Sequence, residues 1–195
     1  VMNRLCFGSS VLMLALMSAP ETIAARLPRW ADAIAERAPA LPEGVSKHSM
    51  RVLLHERTIE VGADGTMKET IRIANQSLSQ TDDQAGLEAH WFSRNTKIKS
   101  SKAWHQPPEG STEKASAEDS LDITLDSSFF SDRKTRFIGF TGMKRGSLVF
   151  FEFETVTQPF ALEFDEWFLG SGTVDRHVVD LTIPAGWQLI YDWVG

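Results

Sequence analysis

Apolar side chains recur at every second position through much of this chain, and that period predicts strands. Two such runs, residues 51–61 and 67–74, flank Gly62-Ala63-Asp64-Gly65-Thr66. The Asp-Gly pair takes the left-handed conformations of a tight turn. A hairpin follows, with Ile59 and Val61 facing Ile71 and Ile73 in the simplest register. Leu121, Ile123 and Leu125 alternate with Asp122, Thr124 and Asp126 as a half-buried strand would. Over residues 147–158, Val149, Phe151 and Phe153 share one face and Glu152 and Glu154 the other. Leu148 and Phe150 make the start of that second face apolar too, so part of it is covered. Val179, Leu181 and Ile183 alternate with Asp180 and Thr182 before Pro184-Ala185-Gly186 turns the chain. A last run sets Trp187, Leu189, Tyr191 and Trp193 on one side.

Helical patterns are few. Trp30-Ala31-Asp32-Ala33-Ile34-Ala35-Glu36-Arg37 reads as two helical turns that Pro39 and Pro42 stop. Its apolar content is small, so residues 26–50 read as an Ala/Pro-rich linker or a helix lying on the main body. Within the body, residues 82–90 place Asp82 and Asp83 where acids favour a helix dipole. One short helix is expected there, weakened by Gly86. Residues 106–120 hold two prolines, one glycine and no large apolar side chain, as a solvated, mobile hairpin tip does. Many short strands joined by turns predict a mainly β fold, an antiparallel two-sheet β-sandwich over residues 51–195.

The first 25 residues are of another kind. Met2-Asn3-Arg4 supplies a positive charge, residues 5–17 are apolar but for Gly8, Ser9 and Ser10, and Ile23-Ala24-Ala25 precedes Arg26. This is the order of a secretory signal peptide cut after Ala25. About 13 residues fall short of the roughly 20 that a membrane anchor needs. Cys6 lies at the start of the apolar run instead of after it, which excludes a lipoprotein signal. The expected location is exported, periplasmic or extracellular, with no membrane span after cleavage.

Composition narrows the function classes. Of 195 residues, 42% are hydrophobic and 24% charged, which excludes a disordered chain. A net charge of -6 without a basic block argues against nucleic acid as a partner. Cleavage would remove one arginine and one glutamate, leaving that charge unchanged. It would also remove Cys6, the sole cysteine, and with it any disulfide, Cys–His pair or cysteine zinc site.

Candidate chemistry is thin. Gly170-Ser171-Gly172 lacks the strand-to-helix context of a nucleophile elbow. His48, His55, His90, His105 and His177 form no His-Glu-x-x-His pattern. His48 and His55 would point to opposite faces of a strand. Solvated surface histidines are the preferred reading, beside a site gathered from distant ones. Asp64-Gly65 lacks the alternating oxygen ligands of a calcium loop.

Glu152 and Glu154, roughly 6–7 Å apart along a strand, overlap the spacing of glycosidase acid pairs. On a sheet such a pair is ordinarily its wet side. Glu163, Asp165 and Glu166 read as a charged turn. No catalytic residue, metal or cofactor is assigned. Six tryptophans could fill the space between sheets. They could also offer flat platforms to sugars or peptides, with Trp104 first in line, then Trp91 and Trp167.

Several pieces recur in one known order. They are Ile59-Glu60-Val61-Gly62-Ala63-Asp64-Gly65, Ala103-Trp104 followed by Pro108-Glu109-Gly110, and Ser131-Asp132-Arg133. Then come Gly146-Ser147-Leu148-Val149-Phe150-Phe151-Glu152-Phe153, Trp167-Phe168, and Ile183-Pro184-Ala185-Gly186-Trp187. In that order they resemble the domain of unknown function DUF3857 of exported bacterial proteins, over about residues 51–193. Phe129-Phe130 departs from the tyrosine expected beside Ser-Asp-Arg.

The resemblance implies an all-β domain without chemistry of its own, placed before a transglutaminase-like Cys-His-Asp core that would lie beyond Gly195. The chain then reads as a fragment, a non-catalytic accessory module. Its partner would be that core or a cell-envelope protein. The alternative is a carbohydrate- or peptidoglycan-binding module using exposed tryptophans.

Overall fold

The computed structural model describes residues 25–44, 50–79, 83–92, 94–116, 120–123, 133–159, 161–162, 166 and 173–191. For residues 83–92, 116, 121, 123 and 133 it describes the backbone alone. The expected signal peptide lies outside these residues but for Ala25.

The chain is mainly β. Helix α1 (Arg29–Ala35) precedes β1 (Met50–Val61), β2 (Met67–Ser77), β3 (Asp83–Phe92), β4 (Thr96–Gln106) and β5 (Glu113–Ser116). Then follow β6 (Leu121–Ile123), β7 (Arg133–Met143), β8 (Leu148–Thr157), β9 (Thr173–Val174) and β10 (His177–Thr182). Seven strands form one sheet in the order β10-β1-β2-β8-β4-β5, with β9 also paired to β1. The other three form a sheet in the order β3-β7-β6.

The expectation of a purely antiparallel fold is corrected here. Strand β1 runs antiparallel to β2 but parallel to both β9 and β10, so the larger sheet is mixed. A chain that returns to the outer side of its first strand in the same direction can pair with it only this way.

The expected hairpin forms. Gly62 donates to the Thr66 carbonyl at 2.8 Å, and Gly65 to that of Gly62 at 2.9 Å. Asp64 Oδ1 accepts from the Thr66 amide at 3.0 Å. Gly65 sits at φ 78°, a region that side chains resist. This compact loop sets Val61 directly against Met67, so Ile59 opposes Glu69 and Ile71 opposes Arg57. The register with Ile59 and Val61 against Ile73 and Ile71 is therefore corrected by four residues along β2.

Residues expected to form the body's short helix are strand β3, paired residue by residue with β7 from Ala85↔Phe140 to Phe92↔Arg133. Helix propensity is a weak prior, and a full ladder of partners overrides it. The one described helix is instead α1, in the segment read as linker or docked helix. Pro28 caps its start in an extended conformation, and Asp32 lies in the first turn.

Helix α1 is part of the core. Leu27 and Ala31 join Leu53, Leu54, Ala74, Trp104, Leu148 and Phe150 in one buried cluster. Leu54, Ala74, Phe150 and Trp104 line up across four strands, which gives α1 a flat apolar seat. One step along each strand, His55, Ile73, Phe151 and Ala103 form the next row. By the two-residue period of a strand that row projects to the opposite face. There Ala103, Val149 and Phe151 pack with Ile138 and Met143 of β7. Central strand β8 therefore buries both faces, and α1 is what covers the Leu148/Phe150 side.

Residues 106–120 hold a hairpin, but its return arm is strand β5, with Ala115 buried against β4. Pro108, Glu109, Gly110 and Ser111 are exposed. The final aromatic run forms no strand over residues 187–191, where Ile190 is 94% and Tyr191 70% exposed. No helix among the described residues is long and apolar enough to cross a membrane.

Candidate functional site

On β1, His55, Arg57 and Ile59 alternate with Glu56 and Thr58 and so share one face. Ile59 is fully buried, which places the two polar side chains at the margin of a packed surface. The parallel pairing of β10 sets His177 directly opposite His55. Their rings lie 4.4 Å apart, centroid to centroid, tilted by 44°. Glu166, from the connection between β8 and β9, reaches the same spot.

Each oxygen of the Glu166 carboxylate has its own partner. Oε1 lies 2.6 Å from His177 Nε2. Oε2 accepts from Arg57 Nη1 at 2.9 Å. Arg57 also donates through Nε to Glu69 of β2, so one guanidinium holds two carboxylates from different elements. The side chains of Arg57, Glu166 and His177 are 17%, 11% and 10% exposed.

Electrostatics follow from this packing. Burial disfavours the imidazolium form of His55, and the neighbouring His177 and Arg57 add repulsion that Glu166 only partly offsets. The His55 pKa is therefore held below its ordinary value. Burial alone would lower the pKa of Arg57, but Glu69 and Glu166 more than reverse this and fix its charge.

One donor atom from each of His55, Glu166 and His177 lies within 4.8 Å of the other two. The reading of these histidines as solvated surface groups is corrected accordingly. His105 departs from it as well. It is 5% exposed, 3.2 Å from Ser147 Oγ and 3.5 Å from Glu113 Oε2, beside the Phe140 ring. His48 lies outside the described residues, and of His90 only the backbone is described.

Trp104, the first choice as an exposed platform, is 4% exposed. Its ring packs edge-on against Trp30 at 6.4 Å, and Trp30 packs in turn on Phe150 at 5.9 Å. The prolines that suggested exposure follow β4, while Trp104 itself points under α1. Trp91 is described only as backbone of β3, and Trp167 lies outside the described residues.

The Glu152/Glu154 pair is no wet face either. Glu152 is 8% exposed. It belongs to a charged row, Glu56↔Arg72↔Glu152↔Lys102, running across β1, β2, β8 and β4. Arg72 Nε donates to Glu152 at 3.0 Å, Arg72 Nη1 to Glu56 at 3.3 Å, and Lys102 Nζ approaches Glu152 at 3.6 Å. Glu152 is thereby a member of a structural ion-pair row across the sheet.

A concavity lies elsewhere, on the helix side of the same sheet. This open groove of about 330 Å³ runs between α1 and β1, lined by Trp30, Ile34, Arg37, Leu54, Glu56 and Arg176 among others. Neither His55 nor His177 enters its lining.

Among known proteins, no family model matches this chain, and no curated protein does. Several solved structures share part of its course, two of which follow. One, from Parabacteroides distasonis, is described as a "putative protease". It is 10% identical at a TM-score of 0.48, over 57% of this chain and 23% of that one. The other, from Legionella pneumophila, is described as a "putative nutrient binding protein". It is 5% identical at a TM-score of 0.33, over 58% of this chain and 41% of that one. This chain thus spans less than half of either protein, and likenesses of this extent carry no conclusion about its activity.

Proposed function

We propose that this chain is an exported, non-catalytic β-sandwich module that docks to a neighbouring transglutaminase-like core, as its resemblance to DUF3857 implies. The observation that carries the proposal is the state of its acids and its last segment. Of the two acids nearest to a catalytic spacing, Glu152 is held in ion pairs with Arg72 and Lys102. By contrast, Trp187, Leu189, Ile190 and Tyr191 follow the last strand with 42%, 52%, 94% and 70% of their surfaces exposed. A run of large apolar groups in water is what a contact surface presents before its partner arrives.

Two further features support the reading. The face of the larger sheet opposite α1 shares its core with β7, as two stacked sheets would. The quoted family-like pieces also meet in space, since Trp104 lies directly opposite Phe150 on neighbouring strands. The signal-peptide order of the first 25 residues supports export. A glycan-binding reading loses its first platform with the burial of Trp104.

The test begins with the DNA beyond the codon for Gly195. A transglutaminase-like Cys-His-Asp core is expected there or in an adjacent frame. Purified separately, that core should bind this chain with a Kd of about 10 μM or tighter. Ile190→Asp should weaken binding about tenfold or more, and the chain alone should hydrolyse neither peptide nor glycan substrates. Absence of such a core, undiminished binding by Ile190→Asp, or turnover by the chain alone would overturn the proposal.

A further inference from the structure

We propose that His55, Glu166 and His177 form a zinc-binding site that fastens the last strand and the β8–β9 connection onto β1. The three donors come from three separate parts of the chain, and their ligating atoms already lie within 4.8 Å of one another. Around a tetrahedral Zn²⁺ with bonds of about 2.0–2.2 Å, such atoms lie roughly 3.3–3.6 Å apart. Closing onto a metal therefore asks the widest pair to approach by about an ångström. The Glu166–His177 contact at 2.6 Å opens by a similar amount. Side-chain rotation supplies both movements while the ladder between His55 and His177 stays fixed.

The donor set restricts the metal to a divalent transition ion such as zinc. Two imidazole nitrogens and one carboxylate oxygen suit zinc, whereas calcium and magnesium require shells built of oxygen. Three protein ligands leave the fourth position to water.

The surroundings supply the outer contacts that metal sites need. Arg57 holds Glu166 through Oε2, so Oε1 is the oxygen turned toward the histidines. Glu69 holds Arg57 in turn. This chain of contacts orients the carboxylate, and the Glu69 charge offsets that of the guanidinium, so Arg57 does not repel the ion outright. A simple His177–Glu166 hydrogen bond leaves the second imidazole, 4.4 Å away between centroids, without a role.

Among the described residues, strand β10 pairs with β1 alone. A metal bridging the two would strengthen the edge of the sheet where it has fewest partners. This inference is independent of the docking proposal, because zinc binding is read on the chain alone.

The experiment uses the full chain with Cys6→Ser, stripped of metal by a chelator and titrated with Zn²⁺ at pH 7.5. One equivalent should bind with a Kd of about 1 μM or tighter. Co²⁺ in its place should give the intense visible absorption of a four-coordinate centre. His55→Gln, His177→Gln and Glu166→Gln should each lose more than the roughly 10–100-fold that removal of an outer partner costs. His105→Gln should bind as the parent does. Because a variant can fail to fold, the parent itself supplies a second readout. Zinc should shift the ring-nitrogen NMR signals of His55 and His177 and leave that of His105 in place. No binding by the parent, full affinity in a folded His55→Gln, His177→Gln double variant, or shifts confined to other histidines would overturn the site.

Discussion

Trp104→Ala is expected to lower the unfolding free energy by about 3–5 kcal/mol, the usual cost of deleting a buried aromatic side chain. Trp104 is the wall on which α1 rests. Its ring meets Trp30 edge-on, and Leu27, Ala31, Leu53 and Phe150 close the same cluster. Alanine would leave a cavity that the sheet cannot collapse to fill, since four strands fix the row in which Trp104 sits. Denaturant titration of the parent and variant checks this, with an unchanged m-value showing that the whole unit still unfolds together. A loss below about 1 kcal/mol would mean that Trp104 is not a core residue. The same variant bears on function. An exposed sugar platform would lose ligand without losing stability, whereas this packing requires the reverse.

Phe151→Ala is expected to cost a similar 3–5 kcal/mol through the other face of the sheet. Phe151 is 1% exposed and packs with Ala103, Ala115, Ile138, Met143 and Val149. Ile138 and Met143 belong to β7, so this side chain joins the two sheets as well as filling space. Amide hydrogen exchange should therefore show β7 opening more readily in the variant, while α1, on the opposite face, stays as protected as the destabilised whole allows. A global loss below about 1 kcal/mol with β7 exchange unchanged would contradict that placement.

Legibility in the sequence followed the range of each interaction. The hairpin of β1 and β2 was visible because Asp64-Gly65 and the flanking alternation are local. Strand β8 was visible, down to its doubly covered first half, because Leu148 and Phe150 interrupt the alternation in a way that only burial explains. The register of β1 on β2 was not, since it depends on how tightly five loop residues close, and Thr66 and Asp64 close them tightly.

Residues 82–90 misled because composition speaks for a helix, while the deciding fact is a partner strand some 50 residues away. Trp104 misled because its neighbours in sequence are prolines and polar residues; its neighbours in space are Trp30 and Phe150. The histidine cluster was hidden for the same reason. His55 and His177 occupy matching phases on β1 and β10, but only the parallel pairing of two distant strands brings them together. Its one sequence signal was the position of each histidine at an apolar phase of an alternating run, where a solvated group is out of place.

The histidine site depends on that parallel pairing. The most direct measurement is a nuclear Overhauser spectrum of the ring protons, with the contact between His105 and Phe140, 5.5 Å between centroids, as an internal standard. Cross-peaks between the rings of His55 and His177 are expected at no less than the intensity of the standard, given their 4.4 Å separation. A spectrum that shows the His105–Phe140 contact and nothing between His55 and His177 would contradict the pairing, and with it the site built upon it.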